Sequence, residues 1–251
     1  MKWIHYGFLM AWIGVLSPAW ALEVEVGQSY DDLNRGYADW RSTYLDGVRK
    51  TADGKTLYGS VRETERFSLS DRELLAGMYY PLDGRWTALA EANFSPSHKV
   101  LPQWSALMQI QRTFGQGWGV HLGMRHTKYQ NDDAIRINRG NFTIERYWGN
   151  YRAAYTFFAN KIEGGGSPVS HAFQAAYYYG ERNSLGMTYA IGSEVLNLPP
   201  AAPAYYDVRS IVLTGRYWFA PRWALTHEVA LHEQGDLYTR KGIRLGVRYL
   251  F

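Results

Sequence analysis

The last eight residues of the chain, Arg244-Leu-Gly-Val-Arg-Tyr-Leu-Phe251, decide how the rest is read. Counting back from the end, Phe251, Tyr249, Val247, Leu245 and Ile243 are apolar at every second position. Leu250, Arg248, Gly246, Arg244 and Gly242 fill the alternate places. A period of two puts the first set on one face of a β-strand and the second on the other. Two architectures use such a strand. It can close a membrane barrel, or it can lie at the edge of a soluble β-sandwich.

Composition narrows the choice. The chain has 251 residues, with 20 Tyr and 10 Trp among 16% aromatics, yet its mean hydropathy is only −0.36. Many bulky rings at low mean hydropathy suit strands that alternate apolar with polar residues. Beyond the N-terminus no run approaches the ~18 apolar residues of a membrane helix. Cysteine is absent, which excludes disulfides, thiolate nucleophiles and thiolate metal sites and is compatible with an oxidising compartment. The net charge of +4 is spread over interleaved Lys, Arg, Asp and Glu, so no nucleic-acid-binding patch is present. At the start, Met1-Lys2 precedes a mostly apolar Trp3–Val15 and an Ala-x-Ala ending at Ala21. That pattern predicts a secretory signal peptide over 1–21, with the folded domain spanning 22–251.

From Leu22 onward about fourteen alternating segments follow, each about ten residues long. Short separators include Thr51-Ala-Asp-Gly-Lys55, Leu82-Asp-Gly-Arg85, Gly115-Gln-Gly117, Gly149-Asn150, Gly180-Glu-Arg-Asn183 and Ala220-Pro-Arg222. Their Asp-Gly, Gly-Asn and Pro chemistry is that of tight hairpins. Longer ones, Ser95–Val100, Lys161–Pro168, Leu196–Ala204 and Gln234–Tyr238, alternate with them. The reading is all-β: a transmembrane antiparallel up-and-down β-barrel of about fourteen strands, with short turns at one end and longer connections at the other. Trp86, Trp118, Trp148, Trp218 and Trp223 flank short turns, where an interfacial aromatic girdle belongs.

Strand by strand, Ala88, Ala90, Ala92 and Phe94 are expected to face lipid, as are Val120, Leu122 and Met124, and Ala153, Tyr155 and Phe157. His227 breaks the outer set of its segment, and a change of phase at Arg139-Gly140 suggests a bulge. The inner set holds Arg62, Arg66, Glu91, Arg125, Glu145, Arg152, Arg216, Glu228 and Arg248, together with Glu23, Glu25 and Arg244. Mixed charges facing inward imply a hydrated lumen or an internal ion-pair network.

Two resemblances bear on this reading. Arg244, Gly246, Tyr249 and Phe251 fill in order the polar-x-Gly-x-x-apolar-x-apolar pattern that resembles the C-terminal signal of bacterial outer-membrane barrels, which barrel-assembly machinery reads. The run Gly123-Met-Arg-His-Thr-Lys-Tyr-Gln-Asn-Asp132 is similar to the middle of the YaiO family of outer-membrane barrels, where Gly-x-Arg-x-Thr-Lys-Tyr precedes acidic residues. That resemblance implies a single-chain barrel in the bacterial outer membrane with both termini periplasmic. It supplies no catalytic residues.

The functional expectations are correspondingly open. A barrel of about fourteen strands is wider than one that side chains fill, so a passive pore or export barrel for small solutes or polysaccharide is the leading reading. Tyr129, Phe158 and Tyr178 would then be sugar-stacking steps. A closed structural barrel presenting loops to partners or lipopolysaccharide is the alternative. An enzyme ranks lowest. His121/His126 and His227/His232 are five apart and face opposite sides, and Glu228 and His232 are ~13 Å apart along a strand. A rim cluster of His98 or His171 with Ser95, Ser97 or Ser170 stays open. Asp132-Asp133 could hold calcium, although a polar hairpin turn explains the pair as well. No catalytic residue, metal ligand or cofactor is assigned, and no phosphate-binding Gly-rich loop or Gly-x-Ser-x-Gly elbow occurs.

Overall fold

In a computed structural model, residues 21–129, 135–163, 165–196 and 204–251 are described. The expected signal peptide and the Asp132-Asp133 pair lie outside them, apart from Ala21. The described residues form a closed meander of fourteen antiparallel strands. In chain order these are β1 (Leu22–Leu33), β2 (Trp40–Lys50), β3 (Thr56–Arg66), β4 (Leu69–Pro81), β5 (Trp86–Phe94), β6 (Trp104–Thr113) and β7 (Trp118–Tyr129). The second half comprises β8 (Ile135–Trp148), β9 (Tyr151–Ile162), β10 (Val169–Tyr179), β11 (Asn183–Leu196), β12 (Ala204–Ala220), β13 (Trp223–Gln234) and β14 (Tyr238–Leu250). Each strand pairs with its sequence neighbours, and β14 closes the barrel on β1 with Glu25 opposite Arg248 and Gly27 opposite Gly246. Closure satisfies every strand edge, which is what lets a sheet stand in hydrocarbon.

The alternation of the sequence becomes the two faces of this wall. Ile243, Leu245 and Val247 are exposed on the outside, while Arg240, Gly246 and Arg248 are buried inside. The same holds on β5, where Ala90, Ala92 and Phe94 are exposed and Leu89 and Glu91 are buried. An exposed band of Val, Leu, Ile, Met and Phe around a charged interior is an inside-out protein, and its driving force is burial in lipid.

The connections depart from a strict short–long rhythm. At the end with the longer connections, β3 and β4 are joined by Phe67-Ser68 alone and β13 and β14 by residues 235–237. Phe67 (φ 52°) and Ser68 (φ 60°) are both left-handed, an arrangement that costs a non-glycine residue ~1–2 kcal/mol. Packing holds it: the Phe67 ring lies 5.2 Å from Trp40 and 6.0 Å from Tyr37. At the other end a single 3₁₀ turn spans Gly115–Gly117, and Gly117 (φ 77°) is required there because a Cβ would lie 2.2 Å from the Tyr147 carbonyl oxygen.

One expectation about regularity is corrected. No bulge interrupts β8, whose register with β7 and β9 runs unbroken through Arg139 and Gly140. The apparent change of phase is a change of residue type, with Gly140 on the outer wall and Arg139 inside. The shift occurs instead in β12, between Trp218 and Ala220. His227 does face outward, and its ring lies over Gly215 of β12, where a Cβ would be 2.3 Å from Cε1. A missing side chain on one strand makes room for an aromatic one on the next.

Candidate functional site

The interior of the barrel is built from two unlike halves. In the first, formed by β1–β3 and β12–β14, side chains fill the space. Arg248 binds Glu25 through Nε at 2.9 Å and Nη2 at 2.7 Å, and Glu23 through Nη1 at 2.8 Å. Arg244 reaches Asp46 at 3.0 Å and lies 3.7 Å over the ring of Tyr44. Tyr44 Oη donates to Glu25 at 2.9 Å, and Ser60 Oγ donates to Asp46 at 2.5 Å. Space for Tyr44 comes from glycines: a Cβ on Gly27 or Gly246 would lie 2.1 or 2.5 Å from its hydroxyl. Every carboxylate in this cluster thus has several charged or hydroxyl donors, the condition for burying ions without heavy loss.

Toward the long-connection end the same half is capped by Leu33, Trp40 and Tyr238, with Tyr37, Phe67, Tyr206 and Leu237 packed against them. Arg66 and Arg240 sit 4.4 and 4.9 Å from the centre of the Trp40 ring, within cation–π range. Arg240 also pairs with Asp31 at 3.0 Å. Next to this cap, Asp71 of β4 accepts the amides of Lys99, Val100 and Leu101 at 3.0, 2.8 and 2.8 Å. A fully buried carboxylate therefore holds the β5–β6 connection, with Leu101 also buried.

The other half, from β4 to β11, keeps open space. A cavity of about 870 Å³ begins among the short turns at Asp83, Gly149 and Glu181 and extends inward past Tyr58, Tyr147 and Tyr178. Ion pairs line its wall without crossing it. Glu91 takes Arg125 at 2.6 Å and the Tyr58 hydroxyl at 2.7 Å. Glu145 lies between His121 at 3.0 Å and Arg152 at 2.8 Å, and Arg152 extends to Gln174 at 3.2 Å. A second cavity of about 110 Å³, lined by Tyr129, Ser170, Thr188 and His232, lies toward the long connections. Arg139, Thr156, Phe158 and Gln174 line both cavities, and the Arg139 guanidinium lies 4.5 Å over the Phe158 ring. The two spaces meet at that stacked pair.

The structure places the singled-out residues as follows. Arg62, Arg66, Arg216, Glu228 and Arg248 occupy the filled half, with Arg216 3.9 Å from Glu23 and Glu228 beside a void of about 50 Å³ shared with Arg66. Glu91, Arg125, Glu145 and Arg152 occupy the open half. Trp86, Trp118, Trp148 and Trp223 point outward at the short-turn end, joined there by Tyr151 and Tyr177. Trp218 differs. It shares the inward register of Val212 and Arg216, with Arg182 3.7 Å over its ring, and Phe219 continues the outward set of Leu213 and Tyr217 in its stead. Tyr249 lies 4.7 Å from both Trp223 and Phe251 on the outer wall.

His98 meets Ser95 through the backbone, its amide donating to Ser95 Oγ at 3.2 Å. Among the contacts of the described residues, no histidine ring nitrogen is within hydrogen-bond distance of a serine hydroxyl. His98 Nδ1 is 3.1 Å from the Ser95 carbonyl oxygen, and His171 is on the outer wall, 2.8 Å from the Tyr155 hydroxyl. Sequence spacing missed the His121–Glu145 contact, because register across two strands makes it. The only signal for it was that both residues belong to the inner set of adjacent segments. Among the described residues no cluster of three or more metal-ligating side chains occurs.

A family model described as the YaiO membrane beta barrel domain matches residues 22–195. The chain belongs to that family. No curated protein matches it in sequence. Among solved structures, the CymD monoaromatic hydrocarbon channel aligns with this YaiO-family barrel at a TM-score of 0.59 and 9% identity, covering 94% of this chain and 88% of that one. OmpT of Vibrio cholerae gives 0.52 and 12%, covering 95% and 100%. An anion-selective porin from Comamonas acidovorans gives 0.51 and 12%, covering 92% and 98%. At such identities these likenesses speak for the fold, that of an outer-membrane barrel.

Proposed function

We propose that this barrel is a narrow passage that recognises polyhydroxylated solutes, saccharides above all, with its termini and short turns in the periplasm and its longer connections at the cell surface. The observation that carries this reading is the meeting of two inner cavities at Arg139 and Phe158. A solute entering among the short turns would cross tyrosines and planar amides, groups that stack on and hydrogen-bond sugar rings, before reaching the stacked pair. The anion-selective porin and the hydrocarbon channel share the fold, which makes passage a reasonable use of it. Conductance of the purified protein in a planar bilayer tests the proposal: single-channel steps, reduced by added oligosaccharide, are the expected result. Silence at all voltages and salts would leave the closed-barrel alternative, which the ion-filled half and the Asp71-held connection favour.

The terminal strand has its own proposed role. Phe251 is 65% exposed, and its amide bonds to the Leu22 carbonyl at 2.9 Å. With Arg244, Gly246 and Tyr249 it is offered to the barrel-assembly machinery, so deleting Phe251 should reduce heat-modifiable folded protein in the outer membrane.

A further inference from the structure

On the outer wall, Ala88, Ala90, Gly140 and Ala159 are short residues among longer ones, and the wall hollows there into a groove of about 850 Å³ flanked by Met108 and Met124. Toward the long-connection rim this groove ends on Asn138 and Lys161. The rim directly above it is unusual in charge. Lys128 of β7 stands opposite Arg136 of β8, and Lys161 of β9 stands opposite Asn138, two residues from Arg136. Like charges facing each other across strands are destabilising. The carboxylate that meets them among the described residues is Glu163, 3.1 Å from Arg136, and both side chains are more than half exposed. Elsewhere on this rim opposite charges face one another, as in Arg72–Glu63 at 3.6 Å, Arg209–Glu233 at 3.9 Å and the register pair Asp32 and Lys241. Trp104, its ring 5.1 Å from that of His126, borders the cationic group.

We propose that this face seats a phosphorylated, multiply acylated glycolipid of the outer leaflet, its phosphate held by Lys128, Arg136 and Lys161 and its acyl chains lying in the groove below. Three cations above an apolar hollow match the two chemistries of such a lipid in the order in which a membrane presents them. The leaflet assignment rests on the orientation proposed above; the pairing of cations with groove does not.

The test uses the full mature chain folded in detergent, with diphosphoryl lipid A as the probe and native mass spectrometry as the readout. Diphosphoryl lipid A should be retained, and lipid A stripped of its phosphates and phosphatidylglycerol should each bind at least about tenfold more weakly, on the scale of one cation–phosphate contact or more. The triple variant Lys128→Gln/Arg136→Gln/Lys161→Gln should lose about tenfold or more, whereas Lys241→Gln on the mixed-charge rim should lose none. Gly140→Leu fills the groove; nothing lies within 4 Å of a Cβ there, so the barrel should fold, as heat-modifiable mobility will show, and lipid retention should fall. Equal binding of the phosphate-free lipid or of phosphatidylglycerol, or full binding by the triple variant, would overturn the site. Orientation is read separately: the chain has no cysteine, so Ser167→Cys should react with an impermeant maleimide on intact cells. Protection of that residue would overturn the leaflet assignment while the binding data still report on the site.

Discussion

The filled half of the interior, around Glu25 and Arg248, and the open half, around Glu145 and Arg152, use the same residue types to opposite effect. In the filled half Arg248 pairs with Glu25 and Glu23 on the adjacent β1, Arg244 reaches Asp46 two strands away on β2, and a tyrosine occupies the room left by two glycines. In the open half Glu145 is satisfied by neighbours on β7 and β9, so its partners lie along the wall and the axis stays clear. Most charges in both halves pair between adjacent or next-but-one strands, so the difference lies in the filler. Tyr44 is seated over Gly27 and Gly246 in one, and open volume stands beside Tyr147 and Tyr178 in the other.

The largest expected effect comes from breaking the filled half. Arg248→Met leaves Glu25 and Glu23 without their main donor, and removing one partner of a buried pair costs ~3–5 kcal/mol. A urea unfolding midpoint in lipid vesicles should fall accordingly, and Arg152→Met, which leaves Glu145 its contact with His121, should fall less. Stability equal in the two variants would erase the distinction. Next, Arg139→Ala should raise single-channel conductance severalfold with little change in stability, whereas Arg244→Ala should do the reverse. Tyr44→Phe keeps the ring and removes the hydroxyl that donates to Glu25, so a loss of ~1–2 kcal/mol is expected in the same unfolding assay. Ser68→Gly should stabilise by up to ~1 kcal/mol, since glycine adopts the left-handed conformation without strain.

The smallest effect belongs to a turn. In the β2–β3 connection the Lys55 ammonium, 2.5 Å away, and then the Thr51 hydroxyl hold the fully exposed Asp53 carboxyl down at about 2, against an ordinary 3.8. A lowered folded pKa means that this contribution is complete above pH 3.8 and fades as pH falls toward 2. Protection of the Gly54 amide, taken relative to its intrinsic exchange rate at each pH, should fall across that window in the parent chain and stay flat in Asp53→Asn.

Much of the fold could be read from the order of residues because a barrel wall is periodic: alternation marks the strands, and Asp-Gly or Gly-Asn marks many of the turns. The Phe67-Ser68 turn was invisible, since neither residue favours a left-handed backbone and the aromatic cap that holds them is assembled from distant segments. Trp218 was misplaced because nearness to a turn alone does not mark the girdle, and its alternation with Arg216 already put it inside. Inner facing could be assigned for many of the charges, though not for Asp31, Asp46, Asp71, Arg139 or Arg240. The difference between the halves could not be read at all. It depends on where a large ring such as Tyr44 finds glycines on neighbouring strands to lie over, and that is a matter of register and rotamer. The Asp71 clasp on the β5–β6 connection was hidden for the same reason, as its partners are backbone amides about thirty residues away.

The seam between β1 and β14 carries a last consequence. Arg248 to Glu25, Arg240 to Asp31 and Tyr238 against Trp40 all bind the end of the chain to its beginning. These bonds form a zipper with a charged lower half and an aromatic upper clasp, and it cannot engage until both ends have arrived. Insertion should therefore behave as a ratchet, slow to complete and slow to reverse. Once shut, the zipper seals the wall between the first and last strands, so the passage proposed above runs only along the barrel axis.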